Sequence, residues 1–144
     1  MQHPNTIRVL AVRQPWASYI VEGFKQIELR SVNTNIRERV AIYASRTTID
    51  SDFVQTVNIW KQRGEIFPIG KILGTVEITG SELNKGKHDF EDLKDKHISP
   101  ERYFDARYTH FWYLRNPVKF DITIPYKPPK GAVVWSKTEL PEGY

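Results

Sequence analysis

Apolar and polar positions alternate in short stretches along most of this chain, and the stretches change period at recognisable points. Ile7–Val12 is a β-favouring run, and Gln14-Pro15-Trp16 opens a helical pattern in which Trp16, Tyr19 and Ile20 share one face. Pro15 suits a first helical turn, where its missing N–H would have no partner anyway. Gly23 is a natural stop, so the spacing predicts a helix from about Pro15 to Glu22. Phe24–Arg30 follows as a strand. Val40–Ser45 is another, with Val40, Ile42 and Ala44 alternating against Ala41, Tyr43 and Ser45. Asp50 caps a second predicted helix, with Phe53, Val57 and Trp60 on one face and Gly64 at its end. Ile72–Thr79, Phe111–Arg115, Phe120–Ile124 and Ala132–Ser136 supply further strands.

The charged stretch from Ser81 to Arg107 carries no clear period, and Ser99-Pro100-Glu101 is its one helix-start signal. No repeat, low-complexity segment or dividing linker is present. Several short strands with two or three helices between them predict an α+β fold, a small mixed β-barrel with flanking helices, in one domain over residues 1–144.

Composition narrows the function classes. The chain has 144 residues, 40% apolar and 26% charged, an ordinary globular balance. Without cysteine it can form neither a disulfide nor a thiolate metal site, which fits a reducing cytoplasm. The N-terminus lacks an apolar signal region, and no stretch approaches the roughly 20 apolar residues that span a bilayer. The expectation is a soluble cytoplasmic protein with no membrane partner. His3, His88, His97 and His110 lack ligand spacing, so no metal and no cofactor are expected. A net charge of +4 tilts the molecule toward polyanionic partners. Neither a Gly-rich phosphate loop nor a nucleophile elbow is present.

Three segments carry a family resemblance: L-A-V-R-Q-P-W at 10–16, G-F-K-Q-I-E-L-R at 23–30 and V-A-I-Y-A-S at 40–45. They are followed by G-T-V-E-I at 74–78 and V-V-W at 133–135. In this order they resemble the ASCH domain, named for an activating signal cointegrator of transcription. The Gln-Pro-Trp opening resembles the cointegrator branch. The resemblance implies a PUA-like barrel with a cleft between the first helix and the barrel, and a partner that is RNA, single-stranded nucleic acid or a modified nucleoside or nucleotide. It also implies that some branches are enzymes, one deacetylating 4-acetylcytidine and another resembling a ribonuclease.

On that resemblance the candidate nucleic-acid-binding residues are Gln14, Trp16, Lys25, Glu28, Arg30, Ser45 and Arg46. Lys25 follows the helix stop closely enough to project from a turn. Gln26, Glu28 and Arg30 share one strand face, and Ile27 and Leu29 share the other. Arg30 offers a planar fork to phosphate or a base edge, and Lys25 offers a point charge. Replacing Arg30 is then expected to remove binding and leave the fold intact. Glu28 either accepts from a base amino group or holds Arg30, and the pair is equally an ordinary surface ion pair. Trp16 is a stacking platform or a core anchor; Gln14 is a base reader or a helix-entry residue. Ser45 and Arg46 bind phosphate or cap a turn. Trp60, Trp112 and Trp135 belong to the core or close the barrel.

Lys25 is the candidate catalytic residue if the chain is an enzyme. A deacetylase of the 4-acetylcytidine type would add a threonine where this chain has Glu28, whose charge favours the protonated ammonium and disfavours a lysine base. A ribonuclease would draw on Lys25, Tyr43 and Ser45. A regulatory protein-interaction module is the third alternative.

Overall fold

The computed structural model describes residues 6–46, 67–99 and 110–144. The predicted helix from Asp50 to Gly64, Trp60 with it, and the Pro100-Glu101 helix start lie outside the described residues. Six strands form one mixed sheet: β1 (Thr6–Val12), β2 (Ile27–Arg30), β3 (Arg39–Ala44), β4 (Lys71–Leu83), β5 (His110–Pro125) and β6 (Trp135–Glu139), in the spatial order β2-β5-β4-β3-β1-β6. β1 and β3 pair in parallel, and the other neighbours are antiparallel. Three short helices accompany the sheet among the described residues: α1 (Trp16–Val21), α2 (Lys87–Asp92) and α3 (Lys94–His97). The expected α+β barrel is present as a half-barrel with few, short helices.

Alternation along β3 sorts its side chains between two cores. Val40, Ile42 and Ala44 face α1 and the larger core with Leu10, Ile27, Val76 and Trp112. Ala41 and Tyr43 face a smaller core with Val9, Ile72 and Phe120. Both faces of β3 are therefore buried, and the strand reads as an almost unbroken apolar run.

The sheet departs from the sequence expectation at four strands, one of them β4, which runs on past the expected Thr79 to Leu83. Phe111–Arg115 and Phe120–Ile124 are one strand, β5, in which Asn116-Pro117 is accommodated as an irregularity in the pairing with β4. Asn116 takes a φ of 52°, and the β4–β5 register shifts three times. The two strands approach so closely there that a Cβ on Gly74 would lie 2.0 Å from the Val118 carbonyl oxygen. The strand expected from Phe24 begins at Ile27, since the Phe24 and Lys25 amides both donate to the Tyr19 carbonyl and hold a turn. β6 begins three residues later than expected, after a turn in which the Ala132 amide donates to Pro129.

Side chains close the gap between the edge strands β2 and β6. Trp112 on β5 and Trp135 on β6 stack with centroids 6.0 Å apart and planes 13° apart. Arg30 on β2 reaches across to donate to the Ala11 carbonyl of β1 at 2.8 Å.

Candidate functional site

The motif residues assemble inside the half-barrel. Gln14 is fully buried at the entry to α1, joined to Pro15 by a cis peptide bond. Its Oε1 accepts the Ser18 amide at 3.0 Å, satisfying a first-turn N–H that has no intrahelical acceptor. Its Nε2 donates to the Ser18 hydroxyl and the Pro68 carbonyl, each at 2.8 Å. Trp16 is buried as well, edge-on to Tyr19, with the Lys25 ammonium 4.8 Å from its ring centroid.

Lys25 does not project from its turn; it is 2% exposed. Its ammonium donates to the His97 carbonyl and, at 3.1 Å, to the Ser99 hydroxyl. Burial lowers its pKa from the usual lysine value to about 8; the negative charge of Glu28 works against that shift and the positive charge of Arg30 adds to it. Glu28 thus favours the ammonium, as expected, but desolvation outweighs it. The Glu28 carboxylate is held by Arg30, which donates to Oε2 from Nη2 at 2.9 Å and from Nε at 3.2 Å. Arg30 also lies 5.6 Å from the Trp112 ring centroid. The pair is interior rather than an ordinary surface ion pair, and both faces of β2 are packed rather than one facing solvent.

Beside this interior row an open groove runs along β5 from α1 to α3. One part, about 370 Å³, is bounded by Ile20, Gly23, Lys25 and the β5 residues Leu114 to Pro117. A second part, about 220 Å³, is bounded by Thr79, Gly80, Lys96 and Tyr113. The two parts share Gln26, Leu114 and Arg115. No acidic residue lines either part among the described residues. Gln26, Lys96 and Arg115 are exposed, and none of the three side chains has a partner among the described residues. Tyr113 donates to Glu82, and its pKa is raised first by burial and then by that bond and charge, so it stays a neutral phenol.

Ser45 and Arg46 belong elsewhere. They line a cleft of about 360 Å³ on the other face of β3, with Tyr43, Ser136, Trp135 and residues 132–134. The Arg46 guanidinium lies over Gly70, where a Cβ would come within 2.6 Å of it. The structure therefore places Gln14, Trp16, Lys25, Glu28 and Arg30 together and separates Ser45 and Arg46 from them. Sequence reasoning missed Lys96, Tyr113 and Arg115. Lys96 sits in the aperiodic charged stretch, and only the strand alternation that puts Arg115 opposite Leu114 pointed to an outward cation. Among the described residues no cluster of three or more metal-ligating side chains is present, and no helix is long and apolar enough to cross a membrane.

Comparison with known proteins fits this architecture. The sequence model of the ASCH domain matches residues 10–124. The match carries the domain and does not distinguish the cointegrator-type branch. No curated protein matches significantly. The solved structure of an ASCH protein from Zymomonas mobilis superposes with a TM-score of 0.61 at 16% identity, covering 94% of this chain and 87% of that one. Two variants of that protein, one with a serine replaced by alanine and one with a tyrosine replaced by phenylalanine, each superpose with a TM-score of 0.60 at 15% identity. Each covers 94% of this chain, with 88% and 90% of the variant chains aligned. At these identities the likeness is one of fold.

Proposed function

This chain belongs to the ASCH domain family, and we propose that it holds single-stranded RNA or a single nucleotide in the groove along β5. The observation that carries the proposal is a pair of cations, Lys96 and Arg115, that have no partner among the described residues, in a groove whose described lining includes no acid. Arg115 presents a fork to phosphate, Lys96 a point charge, and Gln26 between them an amide that can donate to and accept from a base edge. Tyr113 supplies an aromatic wall. Lys25, Glu28, Arg30, Trp16 and Gln14 serve this site from within by fixing the turn and strand that border it. The Gln-Pro-Trp opening is the reason to place the chain beside the cointegrator-type branch.

Binding of a short single-stranded RNA, titrated at several salt concentrations, tests this. Log affinity is expected to fall against log salt by about 0.7 for each phosphate neutralised. No measurable affinity even at low salt would remove the proposal.

A second reading rests on the other cleft, which Tyr43, Ser45, Arg46 and Ser136 line together and where the Ser136 hydroxyl is hydrogen-bonded to that of Tyr126 at 2.8 Å. Hydroxyls and a guanidinium around one space suit a phosphodiester, with Arg46 balancing charge on the phosphate. This reading makes the chain a nucleic-acid hydrolase. It requires that the native protein cleave an RNA oligomer and that Tyr43→Phe not do so. A 4-acetylcytidine deacetylase is disfavoured by the burial of Lys25 and by its two buried acceptors, although its lowered pKa of about 8 is one that a lysine base uses.

A further inference from the structure

The segment from α2 to Ser99 holds the most concentrated set of buried polar groups that the proposed function leaves unexplained. His97 is fully buried and Ser99 is 3% exposed. The His97 ring is enclosed by aromatic neighbours, with Phe90 at 4.2 Å and Phe111 stacked at 6.3 Å between centroids. Its Nε2 lies 2.7 Å from the Phe90 carbonyl, and its Nδ1 lies 2.9 Å from the Ser99 amide. A carbonyl only accepts and an amide N–H only donates, so the ring is the neutral tautomer with its proton on Nε2. Ile98, next in the chain, takes a φ of 48°, a conformation that a β-branched residue adopts only under constraint. Around that residue the His97 carbonyl and the Ser99 hydroxyl both receive the Lys25 ammonium. One residue further along, the Gln26 amide donates to the Lys96 carbonyl at 2.8 Å.

These contacts tie two lining residues of the groove together: Lys96 and Gln26 are joined by one backbone hydrogen bond, reinforced by the buried Lys25 clasp. We propose that His97 is a positioning residue whose neutral ring locks this clasp, and that its protonation loosens the hold on Lys96 and weakens RNA binding. The inference rests on the groove being the binding surface. Protonated Nδ1 would carry a hydrogen aimed at the Ser99 N–H, so the bond that sets the Ser99 hydroxyl would turn repulsive. The charges that act on the ring are Lys25 from the turn before β2, which opposes its protonation, and Lys94 and Asp95 on its own helix, which oppose each other. Burial is the largest influence and lowers the His97 pKa from the usual value of 6.5; the bond to Phe90 and the charge of Asp95 act the other way. With a depressed folded-state pKa, the contribution of the clasp is present above about pH 6.5 and is lost as pH falls through the lower folded value.

The test follows RNA affinity and the exchange protection of the Gln26 amide between about pH 7, where Lys25 is still charged, and about pH 5, in the native protein and in His97→Gln. Glutamine can donate and accept like the neutral ring and does not titrate. The native protein is expected to lose at least about fivefold in affinity at the acid end. Gln26 protection should fall with it, while the Ile42 amide in β3 stays protected. His97→Gln should show neither change. Gln26 protection that is constant, or that falls only in step with Ile42, overturns the proposal, and this native measurement decides even if the variant does not fold. If Gln26 protection falls alone while native affinity is unchanged and Lys96→Ala is silent, the clasp stands and the groove assignment fails instead.

Discussion

Arg30 and Arg115 sit on neighbouring antiparallel strands, β2 and β5, yet they meet opposite fates. Arg30 turns inward, where Glu28, the Ala11 carbonyl and the Trp112 face take up its guanidinium. Arg115 turns outward into the groove and has no side-chain partner among the described residues. A guanidinium already committed to a buried carboxylate and a backbone carbonyl has little left for a ligand, whereas an exposed, unpaired one retains all its donors. On the proposed reading the interior arginine is scaffold and the exterior one is the phosphate contact. The G-x-K-x-x-E-x-R motif reports how the barrel is closed more directly than what it touches.

The largest expected effect breaks this comparison from the inside. Arg30→Ala leaves the Glu28 carboxylate buried without its cation and removes the link from β2 to β1. The expected loss is about 3–5 kcal/mol of stability, or roughly 10–16 °C in Tm. This reverses the expectation drawn from sequence, in which the fold would survive. Thermal unfolding of the variant is the check, and an unchanged Tm would return Arg30 to the list of ligand contacts.

Lys25 gives the next largest effect, through pH. Its folded pKa of about 8 lies below the ordinary 10.5, so the unfolded chain holds more protons between those values. Stability is therefore expected to rise with pH across that window, by about 3 kcal/mol in total if Lys25 acted alone. Chemical denaturation at several alkaline pH values, compared with Lys25→Met, isolates the contribution. The variant should lose that rise, and equal slopes in the two proteins would mean that Lys25 is not desolvated.

How far the sequence revealed these roles differs by region. Alternation in Val40–Ala44 located β3 and its two faces, because each face is packed by residues of the matching parity. The β5 strand was split in two, because Asn116-Pro117 carries a local turn signal that pairing with β4 overrides. Burial of Lys25 could not be read locally, since His97 and Ser99 are far away in sequence; Gln14 bonds Ser18 one helical turn on, and only its contact with Pro68 is distant. The same distance hides Lys96, which reaches the groove only because α3 docks beside β2. The resemblance identified the motif residues; only tertiary packing distinguishes those that face inward from those that face solvent.

Arg115→Ala and Lys96→Ala probe the outward side of the comparison. Each is expected to leave stability within about 0.5 kcal/mol and to reduce the salt slope of RNA binding by about 0.7, the contribution of one phosphate. Affinity measured at two or more salt concentrations separates this from a general loss of fold. An unchanged slope in both variants would mean that the groove is not the RNA surface.

The smallest expected effect concerns Arg46, whose cleft lies on the other face of β3. If the α1 groove alone holds the RNA, Arg46→Ala changes oligomer affinity by less than about twofold, because the variant touches neither the groove cations nor the interior row. Gly70→Ala provides a second route to the same cleft. Its Cβ would occupy the space now filled by the Arg46 guanidinium, and at a φ of 72° the alanine is strained as well. Arg46→Ala is therefore the cleaner variant, and Gly70→Ala should match it in binding while also losing stability. A fall in affinity as large as that of Arg115→Ala would move the binding surface to the second cleft or extend it across both. Loss of RNA cleavage in Arg46→Ala with affinity retained would favour the hydrolase reading, with Tyr43 and Ser136 beside the reacting phosphate.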